Sequence, residues 1–210
     1  MKKLITLIAI AFITIFAQSC GKAIPVSSLQ KELSEYVEGK DATIGIAVII
    51  DRKDTIEING HRAFPMLSVY KFPIAVALGE YLHHTGDIIP DTLTIKQSDL
   101  KPDTYSPMRE KHEGEASFQV TLDELLAYSL QQSDNNASDI LLSIMGGTAN
   151  AILILKRLGI ENVNVVSTEA EMYEDNQLCY ENSSTPVGMA RLLDSFDHDF
   201  DDPYNKKVKI

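Results

Sequence analysis

The sequence predicts an α+β protein, a mostly helical lobe with a small antiparallel sheet, on three observations. Two adjacent runs near the front, "TIGIAVIID" and "DTIEING", are rich in β-branched residues and separated by turn formers. From Pro65 to about Arg157 the apolar residues recur at helical spacing. Gly86, Gly146, Gly147 and Gly159 cut that stretch into helices of ordinary length.

The elements follow in order. Lys2 and Lys3 lead into an apolar run over residues 4–16 that ends at Ala17-Gln18-Ser19-Cys20, so residues 1–19 read as a secretory signal peptide, too short to span a membrane. Cys20 directly after a small residue predicts a lipoprotein-type anchor in the bacterial envelope or periplasm, although Gln18 departs from the usual small residue. Cleavage at the same bond without lipid is the alternative. Residues 20–64 hold a helix with Leu29, Leu33, Tyr36 and Val37 on one face, then the two strands, joined around Arg52-Lys53.

Residues 65–196 form the helical lobe. Thr121 with Glu124 makes a capping box, Thr148 opens the helix that stops at Gly159, and Thr185-Pro186 is an N-cap followed by proline at the first helical position. Residues 160–185 show no clean period and read as a long ordered loop, which in a compact domain is usually functional. Residues 197–210, dense in Asp and interrupted by Asp202-Pro203, read as an acidic tail. Two strands alone are marginal in water, so something should complete the sheet.

Composition excludes several functions. The 210 residues are 44% hydrophobic and 23% charged, as in a globular chain, and a net charge of -11 repels nucleic acid and anionic lipid surfaces. Besides Cys20 there is only Cys179, so no disulfide framework is expected. His83, His84 and His112 lack metal-ligand spacing, and neither metal nor cofactor is expected.

Chemistry concentrates in "MLSVYKFP", residues 66–73. Ser68 stands one helical step before Lys71, at the start of a helix whose residues 74–82 are almost wholly apolar. Burial and the positive helix end both disfavour a cation there, which suits a lysine acting as base toward a serine nucleophile. Ser-x-x-Lys should occur by accident about once in a chain of this size. Ser28-Leu-Gln-Lys31 is such a match and reads as solvated surface. Ser133-Asp134-Asn135 adds short polar side chains at a turn between two helical segments.

Ser-x-x-Lys followed by Ser-Asp-Asn resembles the class A serine β-lactamases and the related D,D-peptidases, whose signature ends in Lys-Thr-Gly. "YSPMREKH", residues 105–112, resembles the family's Tyr-Ser-Pro segment ahead of Glu-Lys-His. The resemblance implies that Ser68 attacks the β-lactam carbonyl, with Lys71 as a candidate base. Ser133 would relay a proton to the ring nitrogen, Asn135 would bind the substrate's side-chain amide, and Tyr105 would stand at the entrance. Asp134 looks structural. Glu169 in "TEAEM" matches the loop glutamate that activates the deacylating water. A small-molecule β-lactam, penicillin or cephalosporin, is the implied partner, and a monomer is expected.

Departures are equally specific. Asp139 replaces a usual Asn, Tyr173 stands where a second water-holding residue is common, and Ser167 and Asn182 replace a usual Arg and Asp pair, so the loop must be anchored otherwise. Asp139 and the longer segment before Ser133 resemble a divergent, cephalosporin-hydrolysing subgroup. No Lys-Thr-Gly occurs in the 210 residues. The expectation is therefore a C-terminally truncated member with an incomplete sheet, inert or weakly active, because losing one oxyanion donor costs about 3 to 4 kcal/mol. The alternatives are a penicillin-binding D,D-peptidase or β-lactam sensor that acylates without turnover, and a non-catalytic envelope lipoprotein.

Overall fold

The computed structural model describes residues 25–86, 89–201 and 203–209. Residues 1–19, which read as a signal peptide, and Cys20 lie outside the described residues. Contacts divide the chain into two units, Met1–Asp41 and Ala42–Ile210. In the first, helix α1 (Val26–Val37) is amphipathic with no buried residue, and Lys31 pairs with Glu35 on its solvated surface.

In the second unit, β1 (Ile46–Ile50) and β2 (Asp54–Ile58) form the expected antiparallel hairpin, with Val48 opposite Ile56. Asp51 and Arg52 both have positive φ, the backbone twist that tight hairpin turns require. Arg52 leaves that turn to grip α8 (Pro186–His198) and the residue after it. Its guanidinium donates to Asp194 at 2.9 Å and to both carboxylate oxygens of Asp199 at 3.0 and 2.7 Å. The hairpin thus lies against α8 and is held by a forked, charge-assisted contact.

A two-residue strand β3 (Phe64–Pro65) and a 3₁₀ turn (Leu67–Tyr70) lead into α2 (Lys71–Thr85). Ile74, Ala75, Val76, Ala77, Leu78 and Leu82 of α2 are all buried, which is why its sequence is apolar on every face. Around it pack α4 (Leu122–Gln132), α5 (Asn135–Ile144) and α6 (Thr148–Arg157). Thr121 and Glu124 form the predicted capping box on α4, and Thr185 caps α8 ahead of Pro186.

Three expectations are corrected. The stretch from Pro65 to about Arg157 is not all helical: β4 (Leu93–Lys96) and β5 (Ser117–Val120) pair antiparallel, flanking α3 (Pro107–Lys111). Four residues each and far apart in the chain, they are too short for a period-2 pattern to stand out. The long loop is ordered as expected but carries short elements of its own, β6 (Val163–Asn164), α7 (Glu169–Glu174), a 3₁₀ turn (Asn176–Tyr180) and β7 (Ser183–Ser184). Strand β7 pairs with β3 on one side and β6 on the other, which fastens the loop's two ends beside the segment that enters the Ser68 turn.

The third correction concerns the tail. Pro203 does not break a helix but begins one, α9 (Pro203–Val208), because proline suits the first turn, where its missing N–H is no loss. Asn205 and Val208 are buried, and α9 lies on α2 and α4. Gly79 permits this approach, since a Cβ there would collide with the Asn205 amide. Gly→Ala inside an open helix ordinarily stabilises by about 0.5–1 kcal/mol. Here Gly79→Ala is expected to lower stability by about 1–3 kcal/mol through overpacking, read from denaturant unfolding; a gain in stability would contradict this packing.

Candidate active site

Four sequence elements meet at the N-terminus of α2. Leu67, in the turn before it, takes a positive φ of 46°, a strained conformation for a branched side chain, and the following residue, Ser68, is solvent-exposed. Met66 N–H donates to the Asn182 carbonyl at 2.8 Å, which ties the turn to the far end of the loop. Lys71 begins the helix and is 2% exposed.

The surroundings of Lys71 differ from the apolar setting expected. Its Nζ lies 2.6 Å from Asn135 Oδ1, 2.9 Å from Glu169 Oε1, 3.1 Å from the Ser133 carbonyl and 3.3 Å from Ser133 Oγ. These oxygens supply the solvation that burial removes, and the carboxylate supplies a counter-charge. An ammonium has three hydrogens for these four acceptors, so the two oxygens of Ser133 share one. Ser68 and Ser133 both line an open pocket of about 340 Å³, together with Val69, Lys71, Phe72, Ser129 and Leu130.

The Ser133-Asp134-Asn135 turn is a junction between α4 and α5. Ser133 adopts a left-handed conformation (φ 56°) as the C-cap of α4, and Asp134 caps α5. Asp134 is fully buried, as a structural residue should be. Its carboxylate accepts from Ser106 Oγ, from Met108 N–H at 2.7 Å and from Ala137 N–H at 2.8 Å. Asn135 donates through Nδ2 to Thr104 Oγ1 at 2.7 Å and through its backbone N–H to the Tyr105 carbonyl. Tyr105 leaves its side chain 59% exposed at this edge.

Asn136 is not singled out by the sequence motifs, yet it matters here. Its side chain accepts from Lys101 N–H at 2.8 Å and donates to Lys101 C=O at 3.1 Å, so it holds the 101–106 segment as a strand would. The available signal is the second Asn of "SDNN", which is easily passed over because a single polar residue suffices for a cap.

Glu169 is brought in by α7, whose first two N–H groups need acceptors. Asp139 supplies them: Glu169 N–H and Ala170 N–H reach its two oxygens at 2.8 and 2.9 Å. Thr168 and Glu171 form a second capping box. Asn182, fully buried, replaces the absent ion pair of the loop. Its Oδ1 accepts from Val166 N–H and Ser167 N–H, and its Nδ2 donates to the Ser167 carbonyl at 2.8 Å. Glu174 pairs with Lys101, and Tyr173 is 46% exposed. Cys179 is a free, half-buried thiol packed against the core.

Burial raises the Asp139 pKa to about 6 and the negative charge of Glu169 adds to that, while the two N–H donors oppose it. A carboxyl bound more tightly to its proton in the folded state stabilises fully below its unfolded value, and that contribution is lost as pH rises through the folded one. Asp139→Asn removes the titration. Its stability relative to wild type is expected to rise by up to about 3 kcal/mol between about pH 4 and pH 7, on top of a constant cost for the altered cap. Parallel unfolding curves across that range would contradict the assignment.

Comparison with known proteins gives the family. Residues 28–196 match the Beta-lactamase enzyme family. A β-lactamase of Bacteroides uniformis is 38% identical over 190 residues, 90% of this chain and 64% of the relative. Beta-lactamase VEB-1 of Pseudomonas aeruginosa is 30% identical over 99% of this chain and 67% of its own length. A class A β-lactamase structure from Bacteroides cellulosilyticus superposes with a TM-score of 0.79 at 31% identity, over 89% of this chain and 67% of that one. The TLA-1 extended-spectrum β-lactamase gives 0.80 at 29% identity over 88% and 67%. The chain thus spans about two thirds of the length of these relatives. Within that span it has their fold and carries Ser-x-x-Lys, Ser-Asp-Asn and the loop glutamate at one place, and it belongs to the class A serine branch of the β-lactamase family.

Proposed function

We propose that the protein hydrolyses β-lactams through an acyl-enzyme on Ser68. The observation that carries this reading is the position of Lys71, whose nitrogen touches Ser133 on one side and Glu169 on the other while Ser68 and Ser133 line one pocket. In the first step the Ser68 oxygen bonds to the lactam carbonyl carbon and its proton passes to the Glu169 carboxylate, directly or by relay through Lys71, whose ammonium gives a proton to Glu169 as it takes the one from Ser68. The carbon–nitrogen bond breaks, and the departing nitrogen takes the Ser133 hydroxyl proton, which Lys71 replaces and Glu169 returns to Lys71, so that Glu169 is ionised again for the second step. The Ser68 N–H supplies one oxyanion donor.

In the second step Glu169 takes a proton from water as its oxygen adds to the ester carbon, and the proton returns to Ser68 as the ester bond breaks. Asn135 is the contact for the substrate's side-chain amide, with Tyr105 at the rim. Cephalosporins belong among the substrates; Asp139 and the likeness to a structure named an extended-spectrum β-lactamase support this. Export with a lipid anchor on Cys20 belongs to the same reading, and labelling with radioactive palmitate that survives Cys20→Ala would overturn it.

The chemistry is tested by incubating the purified chain with a chromogenic cephalosporin while recording absorbance and intact mass. An adduct on Ser68 is expected, absent in Ser68→Ala. Glu169→Gln should lengthen the adduct's life by about 10²-fold or more while leaving its formation measurable. No adduct on the wild-type chain, or equal lifetimes in both, would count against the reading.

A further inference from the structure

Tyr70 lies between Ser68 and Lys71 in sequence, yet its side chain goes elsewhere. It is fully buried, and among the described residues its hydroxyl has no partner at ordinary hydrogen-bond geometry, although the Glu169 carboxylate stands near enough to interact with it. A buried phenol without a partner is disfavoured, so such a group calls for a physical reason. Its neighbours suggest one. Glu169 and Asp139 are near enough that their negative charges, after burial itself, raise the phenol's pKa, with Cys179 a weaker contributor. A phenol so placed keeps its proton and has carboxylates as its natural acceptors.

Among the described residues Lys71 is the one group at ordinary hydrogen-bond distance from the Glu169 carboxylate. Lys71 takes Oε1, and Asp139 binds the Glu169 backbone rather than its side chain. Tyr173, a turn further along α7, is exposed and does not close over the carboxylate. A carboxylate held through one oxygen can still rotate about its terminal torsion, which is broad in glutamate.

Resting on the hydrolytic reading above, we propose that Tyr70 is a positioning residue for Glu169: its buried hydroxyl donates to the Glu169 carboxylate and, with Lys71, fixes the direction in which that carboxylate meets water. The groups facing Glu169 are then Lys71 from α2, Asp139 from α5 and Tyr70 from the turn below, with Cys179 beyond the phenol. Phenylalanine fills the same space without the donor, so Tyr70→Phe isolates the hydroxyl.

The test is a double-variant cycle on the full chain, Tyr70→Phe with and without Glu169→Gln, read in two ways. Tyr70→Phe should lengthen the life of the Ser68 adduct formed with a chromogenic cephalosporin by about tenfold, with adduct formation changed less than about twofold. It should also lower the thermal midpoint when Glu169 is present, and do so much less in the Glu169→Gln background, where a neutral amide replaces the carboxylate. An unchanged adduct lifetime, or the same midpoint loss in both backgrounds, would overturn the proposal. If the wild-type chain forms no adduct, the hydrolytic reading fails, and the midpoint cycle still decides whether Tyr70 acts on Glu169.

Discussion

The convergence of oxygens on the Lys71 nitrogen is the constraint from which the rest of the site follows. A lysine 2% exposed at a helix start cannot remain without acceptors, and the chain provides them from the α4–α5 junction and from the loop. Each supplier is itself held. Asn135 is gripped by Thr104 and the Tyr105 carbonyl, Ser133 is fixed in a left-handed cap, and Glu169 rides on a helix start held by Asp139. Removing any one partner leaves buried polar groups unsatisfied in the others, which makes the arrangement cooperative rather than a sum of contacts.

The loop shows how substitutions at expected anchor positions are absorbed. With Ser167 and Asn182 in place of an ion pair, a neutral amide makes two backbone contacts at one oxygen and one at its nitrogen, and it is wholly buried. A neutral anchor avoids the desolvation cost of two charges. Asp139 carries the opposite burden: it anchors α7 through two N–H bonds while half-buried next to another carboxylate, and burial costs its charged form more than those bonds return.

Much of this is legible in the sequence where the cause is local. Thr121 with Glu124, Thr185 before Pro186 and the turn around Arg52 need only their neighbours, and each forms as expected. The triple of Ser68, Ser133 and Glu169 is legible through motif resemblance. What escapes depends on distant partners. Lys71 finds its acceptors 62 and 64 residues away, so its polar surroundings cannot be read from an apolar helix. Pro203 looks like a breaker because its role at a helix start depends on α2 leaving room at Gly79. β4 and β5 are hidden by their brevity.

The most direct test of the central constraint is native-state amide hydrogen exchange on the wild-type chain and on Lys71→Met, which keeps the length of the side chain and removes its donors. If the lysine joins the junction to the loop, protection should fall together at the amides of Ala137 and Ser138 and at those of Glu169 and Ala170, although none of these backbone amides bonds to Lys71. Unchanged protection at both places would show that the junction and the loop are held independently, and the account of a single hub would be wrong.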